Sequence, residues 1–192
     1  MLDAAAELRR EVSRHCELPA TCDNRDIVLH VRQAGSADLV FAVNDARKYG
    51  DYVGQWRKCQ EEGVPATGVL TVNRRAGAVY DLVRHRSVPF GSEGRKTTIP
   101  LEYETCDGRA LLVVDRPLKP LRVRCADGDA VRVETPDADV LIPIRVYPGN
   151  GRPRSGVLKG GKWTRRVPGG AVRVQNLATG EWFEPVPKSP MN

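Results

Sequence analysis

The chain has 192 residues, 41% of them apolar and 28% charged, with a formal net charge of +6. That balance excludes a chain disordered throughout, and no apolar run approaches the roughly 18 residues that a membrane-spanning helix needs. The length fits one domain or two small ones.

The first predicted element is a helix over residues 3 to 16. Asp3 is placed to cap it, and Ala5, Leu8, Val12 and Cys16 fall on one stripe at helical spacing. Met1 to Arg10 mixes Asp3, Glu7, Arg9 and Arg10 with alanines and lacks the apolar core of a secretory signal. Two locations follow as expectations: the cytoplasm, or the periplasm or cell exterior if the chain is a piece of a longer exported protein.

Pro19 and the polar cluster Thr21 to Asn24 end the helix. From Ile27 to Pro185 short runs alternate between apolar and polar residues, each closed by a Gly- or Pro-bearing turn. Two-residue alternation puts every second side chain on one sheet face, so each run predicts a half-buried strand. The first runs are Ile27 to Arg32 and Leu39 to Asn44. Others follow at residues 68–73, 78–84, 97–105 and 111–115.

Residues 45 to 66 break this rhythm. They carry Tyr49, Tyr52 and Trp56 at spacings of three and four, which a short helix would bring to one stacking face. Gly50 and Gly54 weaken a regular helix and favour a tailored loop. The rings either stack on a sugar, with Asp51 and Gln55 as hydrogen-bonding partners, or form a lid over the core.

Arg116-Pro-Leu-Lys-Pro120 predicts a boundary, and seven shorter runs follow it. The fold class expected is mainly β: two antiparallel β-sandwich, immunoglobulin-like domains with one N-terminal helix. The first would span residues 1–118 with the aromatic insertion at 45–66. The second, small and basic, would span residues 119–192. One larger sandwich is the alternative.

No chemistry is written plainly in the sequence. The five cysteines include no CxxC pair, so neither a zinc site nor a redox motif is expected, although Cys16 and Cys22 could close a short disulfide loop. His15, His30 and His85 are not spaced as metal ligands, and no cofactor is implied. Asp45, Asp51 and Asp81 are the carboxylates worth testing for glycoside chemistry, with Asp81 reading as a strand-end residue. Catalytic residues are not identifiable, and the chain is expected not to be an enzyme.

Charge is segregated. Between Val140 and Gly180 lie eight Arg or Lys and no acid, which leaves the remainder of the chain at −2. Arg152, Arg154, Lys162, Arg165 and Arg166, with Trp163 among them, are candidates for binding a polyanion: nucleic acid, an acidic polysaccharide or a neighbouring acidic domain. No nucleic-acid-binding signature accompanies them. The alternative is a solvated edge that discourages strand-to-strand aggregation.

The order of elements in residues 5 to 115 carries a resemblance. Leu8-Arg-Arg-Glu-Val12 precedes Asp26-Ile-Val-Leu-His-Val-Arg32 and Leu39-Val-Phe-Ala-Val-Asn44. Ala78-Val-Tyr-Asp-Leu82 follows, then Leu101 to Val114 with Asp107-Gly108. This resembles the C-terminal non-catalytic β-sandwich that follows the catalytic barrel in multidomain bacterial glycoside hydrolases. The aromatic insertion at 45–66 departs from that pattern. Residues 121 to 192 resemble a further immunoglobulin-like module of the same proteins. The resemblance implies an accessory region that packs on an adjacent catalytic domain or helps engage a glycan. It carries over no active-site residue, because in that family the catalytic acid and nucleophile lie in the barrel.

Overall fold

The computed structural model describes residues 2–53, 59–125, 129–168 and 172–185. The chain is mainly β, with one helix, α1 (Leu2–His15), and several antiparallel sheets. The helix begins one residue before Asp3, so Asp3 is inside its first turn and does not cap it. Its expected apolar stripe faces solvent at Leu8 and Val12.

Close packing divides the chain into two compact units. The first gathers Met1–Val31, Val43–Arg75 and Phe90–Asp107; the second gathers Arg32–Ala42, Ala76–Pro89 and Gly108–Asn192. The division falls within β2 (Ile27–Ala34) and β3 (Ala37–Asn44), while the proline segment near residue 118 lies inside the second unit. Both strands belong to a five-stranded sheet of order β2-β3-β11-β7-β8, with β7 (Ala78–Asp81), β8 (Arg86–Ser87) and β11 (Gly108–Val114).

In the first unit β1 (Ala20–Cys22), β6 (Ala66–Val72), β10 (Lys96–Tyr103) and β9 (Gly91–Glu93) form a sheet of order β1-β6-β10-β9. Strand β10 alternates strictly, burying Thr97, Ile99, Leu101 and Tyr103. Its register with β6 sets Thr97 beside Val72 and Ile99 beside Leu70. The described part of residues 45 to 66 is neither a helix nor an irregular loop but a two-stranded ribbon, β4 (Arg47–Val53) with β5 (Cys59–Gly63), whose register shifts between Tyr49 and Val53. Tyr49 and Tyr52 therefore lie on a strand and not on a helix. Asn44, buried at the end of β3, anchors the ribbon's base. Its Nδ2 donates to the carbonyls of Val64 at 2.7 Å and Glu104 at 2.9 Å, and its Oδ1 accepts from Ala46 N at 3.0 Å.

The second unit adds two sheets. One has order β12-β13-β16, from β12 (Arg122–Cys125), β13 (Ala130–Glu134) and β16 (Lys162–Arg166). The other has order β15-β14-β17-β18, from β14 (Ile142–Pro148), β15 (Arg154–Leu158), β17 (Val172–Asn176) and β18 (Trp182–Phe183). Val123, Val133 and Trp163 of the first sheet share one core with Ile142, Ile144, Leu158 and Val174 of the second and with Tyr80, Leu112 and Val114. In β13 and β17 polar residues alternate with these core positions, which leaves their sheets an outer face, whereas β7 is buried at all four positions.

The segment Arg116 to Pro120 is bound on three sides. Leu118 N donates to Tyr80 Oη at 2.9 Å and Lys119 N to the buried Asp137 carboxylate at 2.6 Å. Arg116 grips Asp139 through both terminal nitrogens, at 3.2 and 2.6 Å. Asp139 Oδ2 also accepts from Ser36 Oγ at 2.7 Å. Ser36 belongs to the β2–β3 turn, where Gly35 takes a left-handed φ of +67° and any Cβ would meet the Asp139 carbonyl.

Two outcomes test this frame. The hydrogen bonds from Arg116 and Ser36 hold the Asp139 carboxyl at about 2, below its ordinary 3.8. A group lowered in the folded state stabilises it above the unfolded value, and that contribution is lost as pH falls from about 3.8 through about 2. Carbon-detected NMR titration should place the Asp139 midpoint there, and an Arg116→Gln variant should return it toward the ordinary value. Separately, a Cβ at Gly156 would lie 2.4 Å from Trp163 Nε1. Gly156→Ala should lower stability by about 1–3 kcal/mol through this overpacking, read as a lower urea midpoint at unchanged slope.

Candidate functional site

The register of β12, β13 and β16 assembles a basic surface. Val123, Val133 and Trp163 form one cross-strand row and point into the core. The rows on either side point outward: Arg122, Glu134 and Lys162 in one, Arg124, Arg132 and Thr164 in the other. Arg166, beside Ala130, begins a third. Five cations share this face with one acid, Glu134, which pairs with Arg132 at 2.7 Å. Arg124 and Arg132 stand directly opposite each other on neighbouring strands. Like charges at that spacing of about 5 Å repel, a cost that an anion lying between them removes.

Of the five polyanion candidates named from sequence, only Lys162 and Arg166 lie on this face. Arg165 alternates to the other side, opposite Val131 at the exposed end of that row. Arg154 lies on β15 and donates from Nη1 to the Arg166 carbonyl at 3.3 Å. Arg152 is exposed in the β14–β15 turn. Arg122, Arg124 and Arg132 come before residue 140, outside the acid-free stretch. The signal that reveals them is Arg at alternate positions in Leu121-Arg-Val-Arg-Cys125 and Val131-Arg-Val-Glu134.

The outer face of the second sheet of this unit is aromatic. Tyr147 and Arg173 are cross-strand partners, as are Arg145 and Gln175, and Gln175 and Trp182. The Tyr147 and Trp182 ring centroids are 4.9 Å apart, with planes inclined at 45°. The Arg173 guanidinium lies 5.2 Å from the Trp182 ring centre, within cation–π range. A cleft of about 540 Å³ opens beside Tyr147 and Arg173, with Glu184 and Cys125 on its wall. Periodicity places a Tyr and a Trp in separate strands; only the register brings them together.

The glycan candidates are less fully placed. Tyr49 lies on β4 opposite Glu61 and is 70% exposed. Asp51 and Tyr52 belong to β4, but their side chains, like all of Gln55 and Trp56, lie outside the described residues.

The titratable groups singled out in the sequence serve structure where they are described. Asp81 is buried, and its Oδ1 accepts from Val83 N and Arg84 N at 2.9 and 3.0 Å, fixing the turn after β7. Its other oxygen faces Arg109 Nη1 at 3.5 Å. Asp45 pairs with Arg47 at 2.6 Å on the surface. His85 Nδ1 lies 2.8 Å from the Leu177 carbonyl, and His15 pairs with Glu11 along α1. His30 and Cys22 line a cleft of about 470 Å³ beside β1 and β2. Burial pushes the Cys22 thiol up, and the neighbouring Asp23 carboxylate adds to the shift against a hydrogen bond from the Asn24 backbone. A raised thiol is a poor nucleophile, because the thiolate is the attacking species. Cys16, Cys22, Cys106 and Cys125 are free, so the short disulfide loop does not form.

Among the described residues, no group of three or more His, Cys, Asp or Glu could hold a metal ion. No described helix is long and apolar enough to cross a membrane. No family model, curated protein or solved structure matches the chain.

The environment of Cys22 yields a direct expectation. Alkylation by iodoacetamide at neutral pH, followed by peptide mass mapping, should label Cys22 more slowly than the exposed Cys106 and Cys125. Labelling of Cys22 first would show an activated thiol in its cleft.

Proposed function

We propose that this chain is a non-catalytic accessory region of a larger carbohydrate-active or cell-surface protein. It is built of immunoglobulin-like β-sandwich modules that support an adjacent catalytic domain and bind glycan. The observation that carries the reading is the exposure of Tyr49. At 70% exposure it stands on a two-stranded ribbon set apart from the larger sheets, in the segment where the chain departs from its strand rhythm. An exposed aromatic ring on an ordered ribbon is an apolar platform suited to the C–H face of a sugar. The buried polar groups support it too: Asn44, Asp81 and Asp137 spend their hydrogen bonds on the chain's own backbone. The element order shared with accessory sandwiches of glycoside hydrolases points the same way. A glycan array should show binding by the wild type that falls at least about tenfold in Tyr49→Ala and in Trp56→Ala, as loss of a stacking platform requires. Equal signals for all three proteins would remove the ribbon from the function.

A second reading has its own observation. Arg122, Arg124, Arg132, Lys162 and Arg166 share one sheet face, with Arg124 set against Arg132. Such a face fits a polyanion, an acidic polysaccharide before a nucleic acid. Heparin retention should then weaken steeply with salt, and Arg124→Gln should elute earlier. In the free protein the same substitution should leave stability unchanged or raise it by a few tenths of a kcal/mol, about the size of a relieved cross-strand repulsion. Retention insensitive to salt would sink this reading.

A further inference from the structure

We infer that the outer face of the β15-β14-β17-β18 sheet is a binding site for a carboxylate-bearing glycan, a chain containing uronic acid. The inference rests on the glycan reading above but moves the contact from the β4–β5 ribbon to the second unit.

Three features of this face lead to it. The first is a ready apolar shelf: Tyr147 and Trp182 are 4.9 Å apart, and Trp182 stays 48% exposed at the edge of its sheet. An exposed indole held by its neighbours loses little further freedom when a sugar ring packs on it, and its face complements axial C–H groups. The second is unspent positive charge. Arg145 and Arg173 stand on this face next to the shelf, and among the described residues neither makes an ion pair. The guanidinium of Arg173 stacks on Trp182, a contact that uses the flat side of the group. Its N–H donors, which radiate in its own plane, remain available for a carboxylate, and the fork of a guanidinium fits one with two parallel hydrogen bonds.

The third feature separates sugar from nucleic acid, which the same aromatic and cationic groups would otherwise serve. Extending the β17–β18 register one residue past Val174 and Phe183 sets Glu184 next to Arg173, and both line the cleft with Tyr147. A carboxylate there accepts from ring hydroxyls, donors that a phosphodiester linkage lacks, and it turns the ligand's own carboxylate, which it repels, toward the guanidinium groups. Gln175, whose Oε1 takes the Tyr147 hydroxyl at 3.4 Å, has its amide N–H groups left as donors. From Tyr147 to Glu184 the row crosses two strand spacings, about 10 Å, the scale of a disaccharide. Donors, acceptors, a stacking shelf and two cations not neutralised by an ion pair then match a polyhydroxylated, anionic ring.

The test is isothermal titration calorimetry of the full chain with oligogalacturonate and with the same chain after reduction of its carboxyl groups. The wild type should bind oligogalacturonate about 10- to 100-fold more tightly than the reduced chain, the range of a charge-assisted hydrogen bond. Arg173→Gln should erase that preference, and Trp182→Ala should weaken both ligands about tenfold. Both positions are exposed, and thermal melts of the two variants should match the wild type. Several results would overturn the inference. Equal affinity for the two chains removes the carboxylate. Binding unaffected by Arg173→Gln and Trp182→Ala but lost in Tyr49→Ala leaves the glycan reading standing and this site refuted. Loss in Arg124→Gln alone assigns the anion to the basic face of the other sheet. Tighter, Trp182-dependent binding of a single-stranded oligonucleotide makes it a nucleic-acid surface. Failure of the wild type to bind either chain refutes this site, and the glycan reading then stands or falls on the array with Tyr49→Ala.

Discussion

The second unit depends on what holds Arg116 to Pro120 in place. Two prolines deny this segment regular pairing, and its backbone still has to be satisfied. Tyr80 and Asp137 do so by accepting from Leu118 N and Lys119 N, each from a position fixed by the core or buried beside it. Arg116 then grips Asp139, whose carboxylate also takes the Ser36 hydroxyl. One short strap thus connects the β2–β3 turn, strand β7 and the loop before β14. Without it, β12 would start from no defined position, and the registers of β13 and β16 that follow from it would lose their reference.

Buried polar groups elsewhere follow the same logic. Asn44 closes three backbone groups in the first unit, and Asp81 closes two behind β7. Asn176 Oδ1 accepts from Ala178 N at 2.9 Å in the turn before β18. Each sits at the end of a strand, where the ladder stops and carbonyls or amides would otherwise go unpaired. A polar side chain committed in this way is a poor starting point for chemistry, since moving its proton or charge would release the turn it holds.

How much of this could be read from the sequence differs by level. The longer strands were legible because alternation repeats several times, as in Lys96–Tyr103. Strands β1, β8 and β9 were not, since two or three residues give alternation no room to show. Strands β4 and β5 escaped because their Tyr, Gly and charged residues lack the period of a half-buried strand. Asp81 was legible as a strand-end residue. The helix stripe at Leu8 and Val12 was legible as a pattern, but a pattern does not state whether anything packs on it. For the candidate sites the limit is register. Lys162 and Arg166 were recognisable as cations, yet their neighbours Arg124 and Arg132 come from strands some 30 to 40 residues away in the chain, and only cross-strand pairing puts them together.

The acid-free stretch shows what register adds. Read as a line, its eight cations suggest one basic segment. Folded, β16 turns Lys162 and Arg166 outward on one sheet, while β14 and β17 turn Arg145 and Arg173 outward on another. The two groups meet different company. On the first sheet cations stand beside cations, Arg124 against Arg132, with Glu134 paired to Arg132. On the second they flank Tyr147, Trp182, Gln175 and Glu184. The same run of charge is therefore split by strand alternation into two surfaces of different composition. A substitution that shifts the register by one residue would exchange core and surface on both at once.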